Sequence, residues 1–92
     1  MLKKINAGRV ESDDGFSVHI TGLETLKYEE NNKYVVFDWA LDPKTKKIRI
    51  YVSDARSWSS EGRQILVSED KVRIKQNIKQ AVALLDGDFE VI

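Results

Sequence analysis

The sequence has no cysteine, one histidine and one proline, and its formal net charge at pH 7 is zero. The absence of cysteine excludes a disulfide scaffold, a zinc site with thiolate ligands and a thiol nucleophile. One histidine cannot form a multi-histidine metal site, and one proline cannot form a proline-rich linker. Because fifteen basic residues balance fifteen acidic ones, the chain has no bulk positive charge with which to bind nucleic acid or a membrane surface.

Long hydrophobic runs are also missing from the chain. The longest nearly apolar stretch, Tyr34–Leu41, contains Asp38 and is too short to cross a bilayer. No apolar segment of the kind that signal peptides contain follows the first residues. With 92 residues, 41% of them hydrophobic and 33% charged, the composition is that of a globular protein with one modest core. We therefore expect residues 1–92 to form a single cytoplasmic domain that does not bind a membrane.

Alternating apolar and polar residues predict an antiparallel meander of β-strands. Turn signals such as Asp13-Asp14-Gly15 and Asn31-Asn32 separate the segments. Three segments have this pattern, Phe16–Ile20, Tyr34–Leu41 and Lys47–Ser53, and Arg9–Ser12 is the expected hairpin partner of the first. Two shorter segments are Gln64–Val67, a candidate edge strand, and Phe89–Val91, a last strand or an extended tail. Leu23–Glu29 fits either a short strand or one helical turn.

The C-terminal third of the chain predicts one amphipathic helix. Ser68 is a candidate N-cap, and Glu69 and Asp70 follow it in the first turn, where the helix dipole favours acids. Apolar residues at helical spacing form one stripe, namely Val72, Ile74, Ile78, Ala81, Val82 and Leu85. Asp86-Gly87 ends the helix, with the glycine at C′. The fold class that follows is α+β: an antiparallel β-meander of about four or five strands with one C-terminal α-helix packed on one face.

The predicted strands have one apolar face and one mixed face. On Tyr34–Leu41, the side chains expected to face the core are Val35, Phe37, Trp39 and Leu41. The residues left for the second face are Ser17, His19, Tyr34, Val36, Asp38, Ala40, Arg49, Tyr51 and Ser53. A small sheet with one helix can leave this face in water. Tyrosine and arginine are enriched in protein interfaces, but cross-strand pairs of this kind also occur for stability alone.

The order of the charged residues is more informative than their total. Residues 11–42 hold eight acidic and two basic residues, a net charge of −6, and residues 43–79 hold ten basic and four acidic residues, a net charge of +6. Solvated strands and helix faces often have such runs without a function. The functional interpretation is a polar molecule that orients a charged partner as the two approach each other.

A search for catalytic and ligand-binding motifs favours a protein that is not an enzyme. His19 lies at an alternating polar position of a strand, which is typical of a surface histidine. Ser57, Ser59 and Ser60 could be combined with it, but no Gly-x-Ser-x-Gly motif accompanies them. The five glycines are dispersed, so they form no glycine-rich phosphate loop. We expect no catalytic residue, no metal site and no cofactor.

Binding of single-stranded nucleic acid is the alternative function. Basic and aromatic residues lie along one hairpin and just after it: Lys44, Lys46, Lys47, Arg49, Tyr51 and Trp58. Aromatic rings beside a basic groove hold single strands without sequence preference. The order of strands followed by a helix also resembles single-stranded-DNA-binding transcriptional coactivators. The acidic residues within 11–42 would oppose a long phosphate track, so nucleic acid is the less favoured partner.

Short segments scattered over residues 16–92 form a recognisable series. The first is Val18–Glu30, a strand leading into a Tyr-x-Glu segment, and Ile50–Ser53 and Arg56-Ser57-Trp58 follow it. The last is the helical segment Val67–Lys71 with Ile74, Asn77-Ile78 and Ala81, followed by Gly87 and Phe89–Ile92. In this order they resemble the immunity protein 74 family of bacterial polymorphic toxin systems. The resemblance implies a small cytoplasmic protein that neutralises a cognate toxin by binding it, without catalytic residues or a cofactor.

The residues predicted to bind the partner are Arg49, Tyr51, Arg56 and Trp58. Exposed aromatic and arginine side chains contribute most to the hot spots of protein interfaces. Trp58 has a second interpretation that is equally good: its side chain folds onto the core and anchors the loop. The predicted partner is therefore a cognate toxin protein, and the chain itself is expected to be a monomer or a homodimer.

Overall fold

The structure is a computed structural model that describes residues 1–21, 24–59, 62, 64–85 and 87–92. Along these residues the chain forms seven strands and one helix: β1 (Leu2–Asn6), β2 (Arg9–Ser12), β3 (Phe16–Ile20), β4 (Thr25–Glu30), β5 (Lys33–Leu41), β6 (Ile48–Ile50), α1 (Ser68–Val82) and β7 (Phe89–Val91). The strands lie in sequence order in one curled sheet. Neighbours are antiparallel from β1 to β6, and β7 is parallel to β6. The α+β class is confirmed.

The sheet has seven strands among the described residues, so the predicted number of four or five is wrong. Leu2–Asn6 has no alternating pattern, because this strand lies at the sheet edge with most of its side chains exposed. The ambiguous segment Leu23–Glu29 is a strand from Thr25 onward, and Leu23 lies outside the described residues. The predicted last strand Phe89–Val91 is confirmed. It pairs in parallel, since the crossover that contains α1 returns the chain to the edge of the sheet.

The turn residues determine how the strands pair. Gly15 has a φ of +96° between β2 and β3, a conformation that residues with a Cβ rarely adopt. Asn31 and Asn32 have φ values of 49° and 65° between β4 and β5. Two consecutive left-handed residues form the tight turn whose twist matches that of a hairpin. This turn sets the register of β4 against β5, and the predicted turns at both positions are confirmed.

The core lies between the sheet and α1. Its buried residues include Val10, Val18, Leu26, Tyr28, Val35, Phe37 and Ile50 from the sheet and Ile74, Ile78, Ala81 and Val82 from the helix. Trp39 is half-buried and packs against this core. Two predicted core positions are wrong. Val72 is 59% exposed because it lies about 200° around the helix from Ile74. Leu41 is 54% exposed because it ends β5, next to an exposed hairpin loop.

The N-terminal end of α1 lies one residue from the predicted position. The N-cap residue is Val67, and Ser68 is the first helical residue. The N–H group of Val67 donates a hydrogen bond to Oδ2 of Asp70 at 3.3 Å. An acidic side chain three residues after the N-cap therefore satisfies one backbone donor at the helix end, where the helix dipole also favours negative charge.

The C-terminal end of α1 comes earlier than predicted. The helix ends at Val82, and the N–H of Leu85 then donates to the Val82 carbonyl at 3.0 Å, which tightens the chain into a turn. Gly87 is therefore not at C′, and Asp86 lies outside the described residues. Gly87 has a φ of +134°, and a Cβ at this position would lie 3.0 Å from the Phe89 ring. Glycine is required there because the chain turns sharply into β7.

The segment between β5 and α1 contains less strand than predicted. The return strand Lys47–Ser53 is reduced to the three residues of β6. Gln64–Val67 is not a strand, since Ile65 forms only one isolated bridge, with Ser57. Residues 51–59 form turns and a loop that reaches β5 at Ser59, and this loop decides the position of one predicted functional residue.

Candidate functional site

The outer face is the side of the sheet that faces away from α1. Residues directly opposite each other on neighbouring strands point to the same side, so the register of the ladder defines this face. His19, Lys27 and Val36 form one row across β3, β4 and β5, and Glu29 and Tyr34 belong to the next row. The residues of this face on β2 to β7 are Arg9, Glu11, Ser17, His19, Thr25, Lys27, Glu29, Tyr34, Val36, Asp38, Ala40, Arg49 and Glu90, and Tyr51 follows β6 on the same side.

On the outer face, β5 presents two large exposed apolar side chains. Tyr34 and Val36 project from β5 with 36% and 40% of their surface exposed. Tyr51 follows β6, and its N–H donates to the Asp38 carbonyl at 3.2 Å, which holds Tyr51 beside β5. A groove of about 190 Å³ lies at this position, lined by Val36, Phe37, Asp38, Tyr51, Asp54 and Ala55. Exposed aromatic and aliphatic side chains surrounded by polar ones are the usual layout of a protein interface.

Lys27 and Glu29 of β4 form a polar border next to Tyr34. Nζ of Lys27 lies 3.2 Å from Oε1 of Glu29 and 4.6 Å from the centroid of the Tyr34 ring. Exposed contacts of this kind contribute at most about 1 kcal/mol each to stability. These contacts place a cation and a carboxylate beside the Tyr34 ring on the outer face.

Arg49 forms the border on the other side of the outer face. Its Nη2 lies 3.6 Å from Oδ2 of Asp42, and its Nε lies 4.0 Å from Oε1 of Glu90. Both distances are too long for hydrogen bonds, and Nε is buried without a hydrogen-bond partner among the described residues. The pKa of the Asp42 carboxyl is lowered mainly by the backbone N–H of Lys44, and the charge of Arg49 is a smaller cause. The guanidinium is therefore loosely held.

The four residues predicted to bind the partner do not form one site. Arg49 and Tyr51 both lie on the outer face. Arg56 is exposed, but it belongs to the loop between β6 and α1. Trp58 is only 4% exposed and belongs to the core, so the structure supports its interpretation as the anchor of the loop.

The loop after β6 explains the burial of Trp58. β6 pairs only with the last three residues of β5, so the first half of this edge needs another partner. Ser59 provides it: its N–H donates to the Tyr34 carbonyl at 2.8 Å, and its Oγ accepts from the Val36 N–H at 3.1 Å. Nζ of Lys33 lies 5.6 Å from the centroid of the Trp58 ring. In this arrangement Trp58 does not offer its ring to a base, which weakens the nucleic-acid alternative.

Lys27 and Glu29 are missing from the predicted second face because Leu23–Glu29 is ambiguous in the sequence. If this segment is a strand, the Asn31-Asn32 turn in the sequence is enough to place Lys27 and Glu29 on this face. A two-residue hairpin turn sets the register of the two flanking strands, and counting back from it puts Lys27 opposite Val36. Since Val36 is on the outer face, its partner on β4 belongs there as well.

A larger concavity of about 630 Å³ lies at the ends of two hairpins, β2–β3 and β4–β5. Acidic side chains line it, but three of them pair with a cation of the same chain: Glu11 with Arg9 at 3.5 Å, Glu29 with Lys27 at 3.2 Å and Glu30 with Arg73 at 2.6 Å. In the described part of the chain, no group of three or more histidine or acidic side chains could hold a metal ion. These carboxylates therefore serve ion pairs within the protein.

Tyr28 is the buried titratable group on the core side of the sheet. Its hydroxyl accepts a hydrogen bond from Nδ2 of Asn77 on α1 at 2.9 Å. Burial raises the pKa of Tyr28 to about 12, so the phenol keeps its proton to a higher pH than an exposed tyrosine does. The contact joins the helix to the sheet, and it lies on the opposite side from the outer face.

The described residues define a class of protein: a small α+β domain with one helix on the core side of a curled sheet and an outer face of apolar and charged residues. None of its described helices has the length and apolar character needed to cross a membrane. A scan against protein-family models, a search of curated proteins and a search of solved structures each found no match. The resemblance to the immunity protein 74 family therefore stays a prediction.

Proposed function

We propose that this chain is a small non-catalytic protein that binds another protein through its outer face. The observation that carries the proposal is the exposed pair Tyr34 and Val36 next to the groove at Tyr51. Charged side chains, Lys27 and Arg49 among them, border this apolar centre. An apolar centre with a charged border is the layout that excludes water from hot-spot residues in protein interfaces.

The strand that presents this centre is held along both edges. β5 pairs with β4 over six residue pairs on one side, and with β6 and Ser59 on the other. The ammonium of Lys27 lies 4.6 Å from the centroid of the Tyr34 ring on this face. Because the β5 backbone is paired along both edges, binding there costs less ordering entropy than binding through a mobile loop would.

Within this class, the function proposed is that of an immunity protein, which neutralises a cognate bacterial toxin in the cytoplasm by direct binding. The support for a toxin as partner is the resemblance of the scattered segments between residues 16 and 92 to the immunity protein 74 family. Such a protein needs a binding face and no catalytic residue or cofactor. The outer face meets the first of these requirements.

The decisive experiment pairs the chain with the toxin domain encoded next to it. The C-terminal domain of a large secreted protein encoded immediately upstream is co-expressed with the chain, growth is scored, and binding of the purified proteins is measured by calorimetry. Rescue of growth and formation of a stable complex are expected. Neither rescue nor complex formation would refute the immunity function.

Tyr34→Ala and Val36→Ser test whether the outer face is the binding surface. A hot-spot residue loses about 2 kcal/mol on truncation, which is roughly a thirtyfold increase in Kd. Val72→Ser is the matched control, because Val72 is also an exposed apolar residue but lies on α1. Equal effects of the three variants would contradict the outer-face assignment. Single-stranded DNA titrated at two salt concentrations tests the alternative, and binding that falls with salt would favour nucleic acid.

A further inference from the structure

The groove at Tyr51 has walls that the backbone holds in place. β5 contributes Val36 and Asp38, and the chain after β6 contributes Tyr51, Asp54 and Ala55. The Tyr51 N–H bond to the Asp38 carbonyl, at 3.2 Å, joins the two walls. A tight turn closes the second wall, since the N–H of Ala55 donates to the carbonyl of the buried Val52 at 3.2 Å. The groove is therefore a feature of the folded backbone.

Two acidic residues of this groove, Asp38 and Asp54, have no partner for their carboxylates in the described part of the chain, whereas the neighbouring Glu29 and Asp42 do. Within the described residues, the carboxylates of Asp38 and Asp54 form no ion pair with a Lys or Arg of the chain and accept no hydrogen bond. Glu29 and Asp42, on either side of the groove, each have a cation at 3.2 Å and 3.6 Å. The groove therefore contains two acidic residues that form no ion pair within the described residues, although Nζ of Lys71 lies nearby, at 3.4 Å from the Ser53 carbonyl.

The size of the groove selects the kind of occupant. Its volume of about 190 Å³ is below the roughly 300 Å³ at which pockets for small molecules begin. It equals the space of about six water molecules at ~30 Å³ each, which suits one long side chain. An arginine fits this chemistry best: its planar guanidinium donates to carboxylates, stacks on an aromatic ring and is more weakly hydrated than a lysine ammonium.

We infer that the groove receives an arginine side chain of the partner protein, an inference that rests on the proposed protein-binding function. The guanidinium stacks on the Tyr51 ring and donates to Asp38 and Asp54. The apolar stem of the arginine packs against Val36 and Ala55, so that the long side chain is covered along its length. The partner surface that meets the outer face is therefore basic at this point.

Titration of the full chain with N-acetyl-arginine amide tests this inference without the partner. Two-dimensional NMR of the ¹⁵N-labelled protein at constant ionic strength is expected to show saturable shifts at residues 36–38 and 51–55. The uncharged N-acetyl-citrulline amide is expected to leave these signals unchanged. Shifts that are absent, that do not saturate or that appear equally at acidic residues elsewhere would overturn the inference.

A pair of variants with the same change in charge identifies the groove. Asp38→Asn with Asp54→Asn is expected to weaken binding of the arginine probe by roughly tenfold or more, because each hydrogen bond between charged groups is lost. Asp13→Asn with Asp14→Asn is the matched control, since these exposed acids lie in the β2–β3 turn. An equal loss in both double variants would overturn the inference.

The outcome for the groove can be separated from the outcome for the proposed function. If the arginine probe does not bind but Tyr34→Ala still weakens the complex with the toxin domain, the arginine inference is wrong and the proposed function stands. If the probe binds in the groove and the Asp38→Asn, Asp54→Asn variant also weakens the complex, both are supported. Binding of the probe together with an unchanged complex would overturn the claim that the groove receives the partner's arginine.

Discussion

Replacement of Arg73 by methionine is expected to lower the free energy of unfolding by about 2 kcal/mol. Arg73 lies on α1, and its guanidinium donates to both carboxylate oxygens of Glu30, with Nε at 3.2 Å from each and Nη2 at 2.6 Å from Oε1. Nη2 also lies 2.9 Å from Oδ1 of Asp70. Because Glu30 ends β4, this contact joins the sheet to the helix. Methionine keeps the apolar stem of the side chain and removes the charge.

The size of this effect follows from the exposure of the three side chains. Arg73 is 45% exposed, whereas Glu30 and Asp70 are 11% and 22% exposed. An exposed ion pair contributes up to about 1 kcal/mol, and loss of one partner of a fully buried pair costs about 3–5 kcal/mol. Glu30 is largely removed from water but Arg73 is not, so an intermediate value is expected. In a domain of this size, about 2 kcal/mol lowers Tm by roughly 8–16 °C.

Urea and thermal unfolding followed by circular dichroism measure this loss, with Lys79→Met as the matched control. Lys79 is an exposed cation on the same helix, so its replacement is expected to change stability by less than about 0.5 kcal/mol. A double-mutant cycle with Glu30→Gln isolates the pair, and a coupling energy of about 1 kcal/mol or more is expected. A coupling energy near zero, or a loss for Arg73→Met no larger than that of the control, would refute the ion-pair explanation.

Two further predictions concern the core. Burial raises the pKa of Tyr28 from 10.0 to about 12, so its contribution to stability is complete below pH 10 and is lost, at about 1.4 kcal/mol per pH unit, as pH rises towards 12. Tyr28→Phe is expected to reduce this alkaline loss in urea unfolding, and equal pH slopes for both proteins would contradict the assignment. Trp58→Ala is expected to lower the free energy of unfolding by about 3–5 kcal/mol, and unchanged stability in the same assay would show that Trp58 is not a core residue.

Two ion pairs connect the oppositely charged parts of the chain. Residues 11–42, with a net charge of −6, include most of the sheet, and residues 43–79, with +6, include α1. Glu30 pairs with Arg73, and Asp42 lies near Arg49; each contact joins an acid of the first part to a base of the second. Part of the charge order therefore serves the fold. Among the described residues, Asp38 and Asp54 form no ion pair of this kind.

The elements with a strict period could be predicted from the sequence. Phe16–Ile20 and Tyr34–Leu41 alternate because one side of each strand is buried, and Ile74 and Ile78 follow the helical period for the same reason. β1 could not be predicted in this way, because an edge strand is held by backbone hydrogen bonds that leave no pattern in the side chains. In the candidate site, the same alternation predicted Tyr34, Val36, Asp38, Arg49 and Tyr51 for the second face of the sheet.

Trp58 shows why the rest of the site needed the structure. Nothing local distinguishes a loop tryptophan that binds a partner from one that fills the core. Its burial depends on Ser59, which pairs with the edge of β5 that β6 leaves open. In the same way, the groove at Tyr51 exists only because the chain after β6 returns beside Asp38. The groove is lined by residues from two separate segments, and the pattern within either segment does not predict that they come into contact.

By itself, the sequence determined the α+β class, the apolar side of each clear strand and of the helix, and the absence of thiol chemistry, because periodicity and composition are local properties of the chain. Only the tertiary structure decided the number of strands, the parallel return of β7, the burial of Trp58 and the place of Lys27 and Glu29 on the outer face. The physical reason is that edge pairing and loop docking bring together residues far apart in the chain, and their free energy depends on contacts that exist only after folding.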